Sequence, residues 1–240
     1  MTHRGAGEAA LGAGEAALGA GEACRGGAKT RIGVLVSGGG TNLQALIDRV
    51  ADGTLRRCEI VVVVSSRPGA FALERAAAAG IPAVCADRGA CASAREFDGR
   101  LLAALAAHRV DLAVTAGFLT IFGAAVVDAY PNRIINVHPA LIPSFCGKGL
   151  YGLEPHRRAL EYGVRLTGAT THFVTEEADA GPIIMQRAVE VLPGDTPQSL
   201  QRRVMAEAEW PLLTQSVRLF SEGRLRVEGR KVVIIGGGAE

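Results

Sequence analysis

From Arg31 onward, short apolar runs alternate with stretches whose apolar residues recur every three or four positions. The runs Ile32–Val36, Ile60–Val64, Ile81–Cys85, Leu112–Thr115 and Arg133–Val137 have the length and branched side chains of buried strands. Between them, Thr41–Ala51, Phe71–Ala79 and Ala94–Ala107 read as helices. Leu43, Leu46 and Ile47 share one face of the first, and Gly80 stops the second. Strands alternating with helices in this way predict a mostly parallel sheet covered by helices.

The pattern changes after residue 138. His138–Pro155 is a long loop rich in Gly and Pro, followed by a short helix, Pro155–Tyr162, that ends at Gly163. Thr167–Val174 and Ile183–Val191 are strands able to pair antiparallel about the Glu176–Pro182 connection. Pro197–Ser221 reads as one long amphipathic helix, and Leu225–Val227 with Lys231–Ile235 as a terminal hairpin about Glu228-Gly229. The expected fold class is α/β: an open, mostly parallel twisted sheet with an antiparallel C-terminal portion and a long C-terminal helix. Long connections in compact domains often carry function, which singles out loops 138–155 and 175–182.

Residues 1–28 do not share this patterning. Gly5–Leu11 reads GAGEAAL, Gly12–Leu18 repeats it, and Gly19–Cys24 begins a third copy. Two glycines per seven residues oppose helix at ~1 kcal/mol each, and no large apolar seam is available for burial. A disordered low-complexity leader is expected here, followed by a single domain over 29–240. The leader lacks the apolar core of a secretory signal, and Glu8, Glu15 and Glu22 argue against an organelle transit peptide.

Composition adds limits. With 48% hydrophobic and 21% charged residues, the chain is globular and sized for one core. A net charge of +2 gives no field for nucleic acid, and no apolar stretch is long enough to span a membrane. Five cysteines without a C-x-x-C pair suggest neither a disulfide framework nor a zinc site, so a reducing cytoplasm is expected. No exposed apolar stripe marks an interface with a second copy.

Candidate chemistry begins at Ile134-Ile135-Asn136-Val137-His138-Pro139. Residues two apart on a strand face one side, so Asn136 and His138 stand together, and Pro139 stops the strand. Open α/β sheets place ligands at such carboxyl ends. An amide donor beside an imidazole suits polarising a carbonyl and moving a proton. Ser37-Gly38-Gly39-Gly40-Thr41-Asn42 lies between the first strand and its helix, where backbone N–H groups and the helix dipole favour a phosphate. The alternative is a tight turn capped by Thr41. A dinucleotide fits poorly, since Leu43 stands where G-x-G-x-x-G needs Gly or Ala, and the second strand ends without an acid. Asp179, before Ala180-Gly181, is either a turn residue or a charge partner for His138. Zinc held by His138, Cys146, His156 and His172 has no supporting spacing.

Three segments, SGGGTNLQALID, INVHPALIPSF and GATTHFVTEEADAGPII, resemble the phosphoribosylglycinamide formyltransferase family in the expected order. The resemblance runs from about Arg31 to Ile235 and implies a Rossmann-like formyltransferase fold. It implies transfer of a formyl group from 10-formyltetrahydrofolate, a co-substrate, to the amine of glycinamide ribonucleotide, without a metal. By the same resemblance, Asn136, His138 and Asp179 match the catalytic trio, and Gly40, Thr41 and Asn42 the phosphate loop. Leu119, Thr120, Ile121 and Phe122, the loop Thr175, Glu176, Glu177, Ala178 and Asp179, and Arg95 match folate contacts, with Asn136 alongside. Glu209, followed by the aromatic Trp210, matches the acid that reaches the nucleotide's amine-bearing end, with Glu207 half a turn away as the alternative. In this scheme Asp179 favours the imidazolium of His138, because an opposite charge raises a histidine pKa. Formyltetrahydrofolate deformylase, a hydrolase with the same trio, is the rival. It usually carries a second His directly after the catalytic one, where this chain has Pro139. Methionyl-tRNA formyltransferase would need a further C-terminal domain and a basic surface. A non-catalytic phosphate-binding protein on this fold would leave the placing of Asn136, His138 and Asp179 unexplained.

Deleting residues 1–28 is expected to leave turnover and melting temperature nearly unchanged, checked by a rate assay and a thermal scan of the shortened chain. A large loss in either would show that the leader packs on the domain.

Overall fold

The computed structural model describes residues 28–236, so all of the expected leader except Ala28 lies outside the described residues. Nine strands form one sheet. β1 (Thr30–Val36) pairs parallel with β2 (Cys58–Ser65) on one side and with β4 (Leu112–Thr115) on the other. β2 pairs with β3 (Ala83–Cys85), and β4 with β5 (Ile134–His138), again parallel. Beyond β5 the direction reverses. β6 (Leu166–Phe173) runs antiparallel to β5, and β7 (Ile183–Glu190) antiparallel to β6. A hairpin of β8 (Leu225–Glu228) and β9 (Lys231–Ile234) closes that edge, giving the order β3-β2-β1-β4-β5-β6-β7-β9-β8.

The chain leaves β1 toward β3 and then returns to β4 on the other side. That reversal opens a crevice at the carboxyl ends of β1 and β4, where such sheets bind ligands. Helices cover both faces. α1 (Thr41–Ala51), α2 (Phe71–Ala78), α6 (Pro197–Val204) and α7 (Trp210–Ser221) pack on one core, built around Ile32, Val34, Leu43, Leu213 and Phe220. α3 (Ala94–Ala107) and α4 (Ala124–Ala129) pack on the other, with Leu35, Phe97, Leu101 and Val126. β1 sends Ile32, Val34 and Val36 to one core and Leu35 to the other, as a period of two requires. α5 (Glu154–Tyr162) follows the long loop and ends at Gly163 in the left-handed conformation.

Three expected elements differ in detail. The third strand starts at Ala83, not Ile81, because Pro82 has no N–H for the ladder, although its carbonyl still accepts from Val63. α4 was not expected, since six residues are too few for a helical period to show. The C-terminal helix is continuous but not uniform, for Met205–Glu209 forms a π-helical turn between α6 and α7. Pro211 explains it. Proline clashes with the carbonyl four residues back, here Glu207, and an inserted residue relieves that contact. The freed Glu207 carbonyl accepts from Arg187 Nη1 at 3.0 Å.

Gly40 joins β1's loop to α1 with φ 71, and a Cβ there would stand 2.6 Å from the Cβ of Ala72 in α2. Gly40→Ala is expected to lower stability in urea unfolding by roughly 2–4 kcal/mol, combining left-handed strain with overpacking. Gly39→Ala, which meets nothing within 4 Å, is expected to change it far less.

Candidate active site

β5 ends with Asn136 and His138 on one face, and β6 lies beside it with His172 opposite Asn136 and Thr170 opposite His138. Directly opposed residues of an antiparallel pair face the same side, so His172 joins the group through register alone. Asp179 comes from the connection between β6 and β7. Its φ of 54 lies in the left-handed region, which Asp enters more readily than most residues. Gly181 allows that connection to close, since a Cβ there would stand 1.8 Å from the Phe173 carbonyl oxygen.

Asp179 meets both histidines. Its Oδ2 lies 3.5 Å from His138 Nδ1, and its Oδ1 3.6 Å from His172 Nε2. The backbone N–H of Gly147, in the 139–153 loop, donates to Oδ2 at 2.9 Å. Burial by itself raises the carboxyl pKa, but the His172 hydrogen bond, the His138 charge and the Gly147 amide together hold it below the ordinary value. His138 shows the opposite balance. Burial lowers its pKa, and Asp179 and the Phe145 carbonyl only partly offset that. The expectation that Asp179 favours the imidazolium therefore describes the pair interaction correctly but not the net direction, which desolvation decides. His138 Nε2 donates to the Phe145 carbonyl at 2.9 Å, leaving Nδ1, on the Asp179 side, to take up a proton.

Asn136 is oriented from both ends. Thr115 Oγ1 donates to its Oδ1 at 2.5 Å, so its amide nitrogen points toward His172 Nε2, 3.0 Å away. His172 Nδ1 donates to the Phe173 carbonyl at 2.9 Å, which makes Nε2 the acceptor for that amide. The second amide hydrogen lies toward Asp179 Oδ1 at 3.5 Å, a weak contact that an incoming oxygen can replace.

Across the crevice, Asn42 Nδ2 donates to Glu209 Oε2 at 2.8 Å. Glu209 is 6% exposed, and burial pushes its carboxyl up to about 7, with Asn42 opposing. The π turn faces Glu209 inward and leaves Glu207 exposed, so the structure brings Glu209 rather than Glu207 to the site. Gly40, not Thr41, caps α1, and its glycine identity follows from packing against α2. Gly38 and Gly39 have open space where a side chain would stand, which leaves room for a ligand.

A cavity of about 530 Å³ joins these groups. Thr41, Asn42 and Glu209 line one part, and Asn136, His138, His172 and Asp179 the middle. Leu119, Thr120, Ile121, Phe122 and the loop Thr175, Glu176, Glu177, Ala178 line the rest. Phe122 stacks on Phe118 at 5.2 Å between ring centres, and Phe118 on Phe97 at 6.2 Å, giving that wall a rigid backing. Arg95 is exposed on the first turn of α3, outside the buried stripe Phe97, Asp98, Leu101 and Leu105, and is not among the residues that line the cavity. Sequence reasoning gave His172 only a zinc role, and its signal was the β5–β6 register. Among the described residues, no group of three or more His, Cys, Asp or Glu is arranged to hold a metal ion.

A switch-point crevice lined by an amide, an imidazole and a carboxylate places the chain among α/β proteins equipped for acyl chemistry, whether transfer or hydrolysis. The chain belongs to the formyl transferase family, whose model matches residues 30–216. It is 37% identical over 196 residues to phosphoribosylglycinamide formyltransferase of Escherichia coli (strain K12), covering 81% of this chain and 88% of that protein. It is 42% identical over 199 residues to the trifunctional purine biosynthetic protein adenosine-3 of Gallus gallus, covering 83% of this chain but spanning only 19% of that longer protein. In structure it is similar to glycinamide ribonucleotide transformylase 1 from Symbiobacterium toebii, with a TM-score of 0.82, 47% identity, and coverage of 87% and 95% of the two chains.

Glu209 carries a pH prediction. Its folded pKa lies above its ordinary value, so the folded state holds this proton more tightly, and stability falls as pH rises from about 4.5 to about 7. Glu209→Gln removes that titration. The variant is expected to gain on the parent by up to roughly 3 kcal/mol between pH 5 and pH 8, read from urea unfolding at both. A difference independent of pH would show that Glu209 is not a buried titrating acid.

Proposed function

We propose that this chain transfers the formyl group of 10-formyltetrahydrofolate to the amine of glycinamide ribonucleotide, a step of purine synthesis, yielding the N-formyl nucleotide and tetrahydrofolate. The observation that carries this reading is the convergence of Asn136, His138 and Asp179 on a cavity that also reaches Asn42 and Glu209. The nucleotide phosphate takes the N-terminal end of α1, with Thr41 and Asn42 as side-chain donors and the backbone at Gly40 beside them. Glu209 receives the polar groups next to the amine. The folate lies along Leu119, Thr120, Ile121 and Phe122 and under Thr175, Glu176, Glu177 and Ala178.

The amine nitrogen attacks the formyl carbon and forms a tetrahedral oxyanion. The free amide hydrogen of Asn136 donates to that oxygen, a contribution of ~2.7–4 kcal/mol for a well-placed donor. The new C–N bond forms, the bond to folate N10 breaks, N10 gains a proton and the amine loses one. His138 takes up the amine proton at Nδ1, Asp179 stabilises the resulting imidazolium, and the same proton passes on to N10 as the C–N10 bond breaks, which returns His138 to its neutral form. A histidine lowered by burial is neutral at pH 7 before reaction, as a proton acceptor must be. All of these are uncharged or charge-assisted donor contacts, and 10-formyltetrahydrofolate enters as a consumed co-substrate. Free thiols at Cys85, Cys91 and Cys146 fit a cytoplasmic setting.

The purified protein is expected to consume 10-formyltetrahydrofolate rapidly only when glycinamide ribonucleotide is present. Equal consumption with water alone would move the assignment to the deformylase. His138→Ala and Asp179→Asn are each expected to lower kcat by at least about a hundredfold, within the range of acid–base contributions, with small changes in KM. Near-normal kcat in both would remove the proposed proton path.

A further inference from the structure

We propose that Lys148 recognises the phosphate of the nucleotide substrate from a glycine-built loop at the mouth of the cavity, which rests on the reading above that the substrate is a phosphorylated ribonucleotide. Gly147-Lys148-Gly149-Leu150-Tyr151-Gly152 lines the cavity along its whole length. Its three glycines have φ of 96, 87 and 64, left-handed values that side chains rarely adopt, and none has a neighbour within 4 Å of where a Cβ would stand. The segment is thus a turn held clear of the body of the protein, with Lys148 exposed near its start.

Charge makes the case. Lys148 is the sole Lys or Arg lining the cavity, against Glu176, Glu177 and Asp179, with Glu209 held toward its neutral form by burial. A phosphate monoester carries −1.5 to −2 charges near pH 7 and would be repelled by such a lining without a cation. The other basic residues beside the loop are already occupied. Arg157 and Arg158, which share a shallow depression on its outer face, both bind Glu154. Lys148 makes no hydrogen bond or ion pair among the described residues, so its charge is available to a ligand.

The tethers of the loop decide which anion it meets. At its far end the Gly152 carbonyl accepts from Gln201 Nε2 at 3.2 Å, which seats it on α6. α6 continues through Met205 into the π turn that carries Glu209, and Glu209 is bonded to Asn42 beside the glycine loop. Gln201, Met205, Glu209 and Asn42 all line the cavity, and with Gly147 bonded to Asp179 at its near end the loop bridges the catalytic carboxylate and the wall that carries Glu209. Because the ammonium is exposed, solvent screens it, and the effect expected is on capture rather than on chemistry.

The test is steady-state kinetics of full-length K148Q and K148R, with calorimetric binding of ribose 5-phosphate and of ribose. K148Q is expected to raise KM for the nucleotide up to about fivefold, with kcat within about 1.5-fold and KM for the folate unchanged, as for loss of one screened charge contact. K148R, which keeps the charge, is expected to stay within about 1.5-fold of the parent. An unchanged nucleotide KM in K148Q, or a rise falling on the folate instead, would overturn the proposal. The calorimetry stands apart from formyl transfer. If the parent does not formylate the nucleotide, the functional reading fails, yet a preference for ribose 5-phosphate over ribose that disappears in K148Q still supports the phosphate role of Lys148. Absence of that preference in the parent, or its survival in K148Q, overturns it.

Discussion

One half-buried carboxylate ties together the parts of this molecule that have no regular structure of their own. Asp179 faces His138 on β5, His172 on β6 and the Gly147 amide in the 139–153 loop. A carboxylate drawn out of water is unfavourable unless compensated, and here the Gly147 N–H donates to it while two imidazoles stand within 3.6 Å, each able to pair with it when protonated. The charge in turn holds those segments in place. Both long loops meet the sheet at this point, and the two histidines and Asn136 are oriented around it.

The sheet makes the meeting possible. Parallel strands from β3 to β5 aim their carboxyl ends at one edge, and the return from β3 to β4 opens the crevice there. The reversal at β6 then lays an antiparallel neighbour against β5, which sets His172 opposite Asn136. On the far wall, Pro211 forces the π turn, and the turn swings Glu209 into the crevice while its neighbour Glu207 stays outside. A backbone irregularity caused by one proline thus selects which of two acids belongs to the site. Burial then decides protonation on both walls. It lifts Glu209 toward neutrality and lowers His138, in each case favouring the uncharged form.

Much of this was legible in the chain itself, because it depends on local rules. The period of two put Asn136 and His138 together at a strand end. Alternating runs and turn residues located all nine strands to within two residues at either end, with β3 shortened by Pro82, and all the longer helices. The glycine loop announced a ligand-sized gap, although Gly40 proves to serve packing and only Gly38 and Gly39 stand open. α4 escaped because six residues cannot display a helical period.

What the sequence determined by itself was therefore the set of elements, their order, and the residue types available for chemistry at the end of β5. What only the tertiary structure decided was which distant residues share that space. The approach of Asp179, the partnership of His172 and the choice of Glu209 depend on strand register, loop closure and a helix irregularity. Those arise from contacts between residues tens of positions apart, which no local pattern encodes. The net pKa directions belong to the same class, since desolvation is a property of the surrounding packing and not of the neighbouring charge alone.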